Sequence, residues 1–382
     1  MEDVQLESEL SILKKTMQLF VKDKVVIAEQ SQNGFENNLS EEVIRSLKEK
    51  AKTVGLHALG AKKEWGGAGL SLFARTVLYE EAAQHRLGLF HPALGAFGEE
   101  LPSLLKNCSL EQIEAYVKPV VSQGKGCFIA LWEEHEDNNM DKIFCNAVRS
   151  GDEWIINGHK SYIQKIEQAG FGIILVNCFE ENGTKKPTLF ILEPNDPFEK
   201  RDEVLIDVQK TYTLTFKNFR IKDNRRISAV GEGANLMKTW LAESQILLCA
   251  RCIGISNKAL DYAAKYAKIR ITRGKTLSTF PSIRTMISNG LVNLKAARLM
   301  VQDAAKKIDR GENDGAIAAQ MAKLFTTETA AKIIDDTLQI HGGAGFAGDF
   351  PIERWYKEIR IARLDLQKKE TIIENIARNI DL

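Results

Sequence analysis

The sequence predicts an α+β chain in three blocks: an N-terminal helical domain (residues 1–125), a middle β-barrel or sandwich domain (126–230) and a C-terminal four-helix bundle (231–382). Three observations predict it. In the first block apolar residues recur at helical spacing. In the second, short β-branched and aromatic runs alternate with turn residues. In the third, long runs with few breakers return. A doubly wound sheet would alternate strand and helix throughout.

Each element follows in order. Phe20, Val21, Val25, Val26 and Ala28 mark a helical face, and Ser40 before Glu41 and Glu42 reads as an N-cap. KEWGGAGL (63–70) is a glycine-rich break, and Ser71 to His85 keeps its apolar residues on one face. The middle block contains CFIALW, AVRSGDEWIINGHKSYI, FGIILVNC, PTLFIL, VLIDVQ and TYTLTFKNFRI; within it SGDE and NGHK read as turns between strands. The last block holds three long helical stretches and a shorter one, TIIENIARNI, which together suggest a four-helix bundle. No internal repeat or low-complexity tract interrupts the blocks.

Composition excludes some functions. Lys plus Arg is 52 against 51 for Asp plus Glu, so no net field attracts nucleic acid or an anionic membrane. Six cysteines are scattered in apolar company, as expected of free thiols in a reducing, cytoplasmic setting. Cys249 and Cys252 form a C-x-x-C, but inside the apolar helix ILLCARCIGI and with no second pair or nearby His, so no metal is expected. His135 in EEHEDNN reads as part of a solvated acidic turn. The acidic N-terminus lacks a signal pattern, and no apolar run is long enough for a membrane span.

Near the end stands QIHGGAGFAGDFPIERWYKEIRIARL. Gly343 to Gly348 fits G-x-G-x-x-G, which binds dinucleotides only where a strand leads into it and a helix follows. The preceding AKIIDDTLQIH reads as a helix, through Ile333, Ile334, Leu338 and Ile340. The glycines therefore read as a helix-ending turn, whose bare N–H groups allow close approach of another molecule, with the Gln339 amide beside them.

QIHGGAGF with PIERWYKEIRIARL resembles the signature near the end of acyl-CoA dehydrogenases. The resemblance covers nearly the whole chain, including KEWGGAGLS, GDEWIINGHKSYI, TLTFKNFRIKDN and ISNKALDYAAKYAKIRITRGK. It implies FAD, a homodimer or homotetramer, and an acyl thioester substrate on CoA or an acyl carrier protein, with an acceptor flavoprotein as a candidate redox partner. It places Arg270 and Thr272 on the flavin dinucleotide, with Gln339, Gly342 and Gly343 supplied by the partner subunit. Independently of any family, a guanidinium pairs bidentately with a pyrophosphate, and glycine N–H groups can reach one. Arg273 departs from the pattern, which has an aromatic there.

The other flavin arm departs further. Where the family carries T-E-P-x-x-G-S-D, this chain has Trp132-Glu133-Glu134-His135-Glu136-Asp137-Asn138-Asn139, and only Glu133 matches. The family's F/W-I-T-N reads Tyr162-Ile163-Gln164-Lys165. Trp132, Tyr162 and Gln164 remain the candidates beside the flavin ring, by stacking or hydrogen bonding.

The family's base, a glutamate that takes the α-proton, matches Leu366 in a gapless count, and leucine takes no proton. The alternative helix position of that base is Ser244, with Glu243 one residue earlier, and the arginine that usually follows is Gln245. Glu243 and Asp365 are the candidate bases, each one residue out of register; on a helix that is a rotation of about 100°. Three functions stay open: a dehydrogenase with a relocated base, a flavoprotein of this fold with other chemistry (oxidase or monooxygenase), and a catalytically inactive partner subunit.

Overall fold

A computed structural model of the chain describes residues 2–31, 40–134, 142–179, 184–205, 209–347 and 350–382. They form two compact units, neither continuous in sequence. One takes in Met1–Leu56, Leu70–Phe97 and Ala242–Leu382; the other takes in His57–Gly69 and Gly98–Leu241. Helices are α1 (Glu2–Phe20), α2 (Val26–Ser31), α3 (Glu41–Thr53), α4 (Leu72–Ala82), α5 (Leu110–Gln112), α6 (Lys118–Gln123), α7 (Gly233–Ile269), α8 (Pro281–Asp309), α9 (Gly315–His341), α10 (Ile352–Ala362) and α11 (Lys369–Arg378). Strands are β1 (Cys127–Ala130), β2 (Asn146–Ser150), β3 (Glu153–Ile163), β4 (Phe171–Phe179), β5 (Lys185–Leu192), β6 (Glu199–Leu205), β7 (Gln209–Lys222), β8 (Arg226–Ile227), β9 (Ile271–Thr272) and β10 (Lys275–Thr276).

The unit centred on residues 98–241 is organised by one sheet in the order β6-β7-β3-β2-β4-β5-β8, with β1 parallel to β4. FGIILVNCF is apolar without alternation because β4 is buried on both faces. SGDE forms the expected turn, with Ser150 opposite Glu153 and Gly151 at φ 66°. NGHK does not. It lies inside β3, where a bulge between Ile156 and Gly158 bends the strand but pairing with β7 continues. Gly158, at φ 135°, has no room for a side chain: a Cβ there would lie 2.7 Å from the Cys145 Cα. The glycine serves a bulge and a close approach.

In the other unit the expected cap at Ser40 forms, and Ser71 caps α4 as well. Ser40 accepts from Val43 N, and Ser71 accepts from Ala74 N at 3.1 Å. Asp309, at the end of α8, accepts from Leu72 N and Phe73 N at 2.8 Å each, so one helix caps another. Helices α8 and α9 pack against each other, and Ala297, Ala304 and Ala305 of α8 and Ala319 and Ala322 of α9 are all buried. At Gly254 a Cβ would lie 2.2 Å from Glu80 O, so α4 rides directly on the backbone of α7. Trp355 is fully buried and donates to Arg86 O at 3.0 Å. Burying such a side chain stabilises the fold by about 1.5–3 kcal/mol. No described helix is long and apolar enough to cross a membrane.

Candidate active site

The C-terminus of α7 runs into a small hairpin. Arg270 N donates to Tyr266 O at 2.9 Å, and Leu277 N closes the loop on Arg270 O at 2.9 Å. Between Thr272 and Lys275 the turn residues Arg273 and Gly274 have φ 47° and 76°. Positive φ at both central positions is the two-residue hairpin geometry that matches strand twist. Arg270 and Arg273 are exposed and Thr272 is half-buried.

The C-terminus of α9 ends at the glycines. A helix leads into them, so the dinucleotide fingerprint is excluded on structure as well as on sequence. Gly342 has φ 58° and ψ −137°, a conformation open almost only to glycine. A Cβ on Gly342 or Gly343 would meet nothing within 4 Å, so packing does not demand glycine at either position. Gln339, Gly342 and Gly343 are all exposed. The two helix ends share one core: Ala263, Ala267 and Ile340, with Tyr266, Leu277 and Ile283 against them. The hairpin and the glycine turn of one chain are thereby neighbours.

In the β unit, Trp132 O accepts from Ser161 N at 2.9 Å, which sets Trp132 beside the end of β3. A register shift between Lys160 and Ile163 puts Tyr162 at φ 59°, and its ring stays 48% exposed. Such a bulge re-aims a side chain away from its strand's faces. Gln164 is half-buried. Residues 135–141, including His135 and most of the counterpart of T-E-P-x-x-G-S-D, lie outside the described residues. Glu133 is structural. Its buried carboxylate accepts from Phe144 N (2.8 Å), Cys145 N (3.1 Å) and Lys160 Nζ (2.6 Å), and Lys160 also donates to Leu131 O at 3.0 Å.

The candidate bases lie in the helical unit. Glu243 is buried on α7. Two residues on, Gln245 Nε2 donates to Leu366 O (2.8 Å) and Gln367 Oε1 (3.1 Å). Asp365 is half-buried, and its Oδ1 accepts from Leu366 N at 3.0 Å. Buried Lys323, on α9, donates to Gln367 O at 2.5 Å. Two residues of helix is a rotation of about 200°, so Glu243 leaves α7 on the side away from the turn that Gln245 holds. Sequence reasoning missed Lys160 and Lys323. The available signal was a lysine among apolar residues, in KSYI and MAKLF. Cys249 and Cys252 are buried in α7, and burial pushes the Cys249 thiol up to about 12, so it is no nucleophile. Among the described residues no group of three or more His, Cys, Asp or Glu could hold a metal ion.

Comparison with known proteins places this framework. Residues 7–124 match the model of the acyl-CoA dehydrogenase N-terminal domain, and residues 231–380 that of the C-terminal domain. The chain is 30% identical over 317 residues to a 3-(aryl)acrylate reductase of Clostridium sporogenes, covering 80% of this chain and 82% of the relative. It is 29% identical to a probable acyl-CoA dehydrogenase, fadE25, of Mycobacterium leprae, over 81% of this chain and 80% of that protein. Its fold matches the butyryl-CoA dehydrogenase of Megasphaera elsdenii with a TM-score of 0.84 at 21% identity, covering 97% of each chain. On the two domain models and the Clostridium relative, the chain belongs to the acyl-CoA dehydrogenase family of FAD-dependent oxidoreductases.

Proposed function

We propose that the chain is a dehydrogenase that removes hydrogen from Cα and Cβ of an acyl thioester carried on CoA or an acyl carrier protein. The observation that carries this reading is that the cationic hairpin of α7 and the glycine turn of α9 are both exposed and uncrowded, so that the turn of one protomer can serve the hairpin of its partner. The residues fit the dinucleotide. Arg270 and Thr272 offer a guanidinium and a hydroxyl to its phosphates, and Gln339, Gly342 and Gly343 offer a carboxamide and uncrowded N–H groups. Trp132, Tyr162 and Gln164 are the groups for the ring. FAD, when bound, supplies the acceptor for the hydride that leaves Cβ.

The chain's own task is to remove the α-proton. We assign it to Glu243, which is buried on the long helix α7, ahead of Asp365, which is half-buried in the turn after α10. We further propose a homodimer or homotetramer in the cytoplasm, passing electrons to a flavoprotein. A relative 28% identical to this chain, from Acetobacterium woodii, is a caffeyl-CoA reductase-Etf complex subunit.

Leu366 and the altered stretch from Trp132 favour a second reading, a flavoprotein with other chemistry or a catalytically inactive partner subunit. Purified protein separates these. Flavin absorbance that bleaches anaerobically with a member of an acyl-CoA panel supports the dehydrogenase. A yellow protein that no acyl-CoA bleaches points to other chemistry, and a colourless one to the inactive subunit.

A further inference from the structure

Helix α10 carries a buried ion pair between Arg354 and Glu358: Arg354 Nε donates to Glu358 Oε1 at 2.8 Å. Glu358 is fully buried, and its Oε2 has no hydrogen-bond partner. The same helix is tied to the segment after α4 by Trp355, which donates to Arg86 O. Glu29 of α2 grips that segment too. Its Oε1 accepts from His85 Nδ1 (2.8 Å) and Leu87 N (3.0 Å), and its Oε2 from Arg86 N (3.2 Å).

Two carboxylates thus share one buried cluster, unequally served. Glu29 has donors on both oxygens. Burial works against its charge, but His85 and the N–H groups outweigh burial and hold it below the ordinary carboxyl range. Glu358 has a donor on one oxygen only. Burial pushes it up to about 7, with repulsion from Glu29 adding to this and Arg354 and Arg86 pulling the other way. Towards α10, helix α7 presents Tyr262, stacked on Trp355, and α9 presents His341. The other charges nearby are taken up: Lys332 of α9 pairs with Asp336, Glu328 of α9 with Arg363 and Lys369, and Glu353 of α10 with Lys357.

The start of α10 also reaches the glycine turn. Phe350, just before the helix, packs against Tyr262 at 5.5 Å and against His341 at 4.9 Å between ring centroids. His341 immediately precedes Gly342.

We propose that Glu358 is a buried proton latch: while it carries its proton α10 stays seated, and release of that proton to solvent loosens α10 and, through Phe350 and His341, the glycine turn. The ionised form is the costly one, because a dry carboxylate with one unserved oxygen is only partly offset by a single guanidinium. Once α10 opens, the side chain ionises near the ordinary glutamate value of about 4.3. The latch is therefore complete below about pH 4.3 and is lost as pH rises towards the folded value of about 7.

The test follows amide hydrogen exchange of the full-length protein from pH 5 to pH 8, with the intrinsic pH dependence of exchange divided out. In the wild type the open population of residues 352–362 should rise by up to about tenfold per pH unit between about pH 5 and pH 7. In E358Q, which still accepts from Arg354 and cannot ionise, it should stay flat. His85 and His341 are common to both proteins, so the comparison isolates Glu358. Equal pH dependence in the two overturns the latch. Exchange of residues 342–347 should rise in step with α10; if α10 loosens and those amides do not, the link to the glycine turn is overturned. If E358Q does not fold, E358L is read the same way. In the loaded protein, flavin retention should fall over the same pH range in the wild type and not in E358Q, and retention that ignores pH overturns the latch's hold on the site. This last arm rests on the function proposed above. A protein without flavin would sink that function, while the exchange arm would still decide the latch.

Discussion

The imidazole of His341 lies over the ring of Tyr266, centroids 4.4 Å apart and planes 26° from parallel. Tyr266 stands one helical turn before Arg270, and His341 immediately precedes Gly342. The stack therefore fixes the distance between the cationic hairpin and the glycine turn.

That stack should be acid-sensitive. His341 Nδ1–H donates to Thr337 O at 2.8 Å, and Nε2 is buried without a partner. Burial holds the pKa of His341 below the ordinary value, outweighing the bond to Thr337. The unfolded chain then binds the proton more readily than the folded one. The neutral ring's contribution is complete above the unfolded pKa of about 6.5 and is lost as pH falls below it, by at most about 1.4 kcal/mol per pH unit. Between about pH 7 and pH 5 the wild type should lose more stability than H341F, which keeps a ring and cannot titrate. Parallel melting-temperature profiles would refute this.

Breaking the Glu133–Lys160 pair should be severe. Each partner is buried, so K160M strands a carboxylate and should cost about 3–5 kcal/mol in urea unfolding. The double variant K160M/E133L removes both charges and should recover much of the loss. A single-variant cost under about 1 kcal/mol would mean the pair is wetter than its burial implies.

The base assignment makes an asymmetric prediction. E243Q should lower turnover by about 100-fold or more, the usual scale for losing a general base, while D365N changes it little. The reverse pattern would move the role to Asp365. L366E places a carboxylate at the family's position and tests whether E243Q can be rescued there.

At the dinucleotide arm, R270A should weaken flavin binding by about tenfold or more, consistent with about 1.5–3 kcal/mol for a charge-assisted hydrogen bond. G343A introduces a Cβ into open space and should leave the fold intact while lowering flavin affinity. G342A should also destabilise the apoprotein, by about 1–3 kcal/mol, because of its backbone angles. Flavin fluorescence released on dilution measures the affinities; an R270A protein that retains flavin as the wild type does would remove Arg270 from the site.

What the sequence made legible was local. Ser40 caps the helix it precedes, and SGDE turns, because each signal acts within a few residues. The glycines after Ile340 could be read as a helix end because their flank was helical. NGHK failed by the same logic: asparagine and glycine mark a turn unless a bulge uses them, and that depends on Cys145, thirteen residues away. The grips of Gln245 and Lys323 on the turn after α10 were invisible for a similar reason. Their partners lie more than forty residues off, and a lone lysine in an apolar stretch does not say what it holds.

Glu133 and Lys160 satisfy one another together with the backbone of Leu131, Phe144 and Cys145, beside the ends of β1 and β2. Nothing in that pair waits for a ligand, so its share of the stability should be the same with and without flavin.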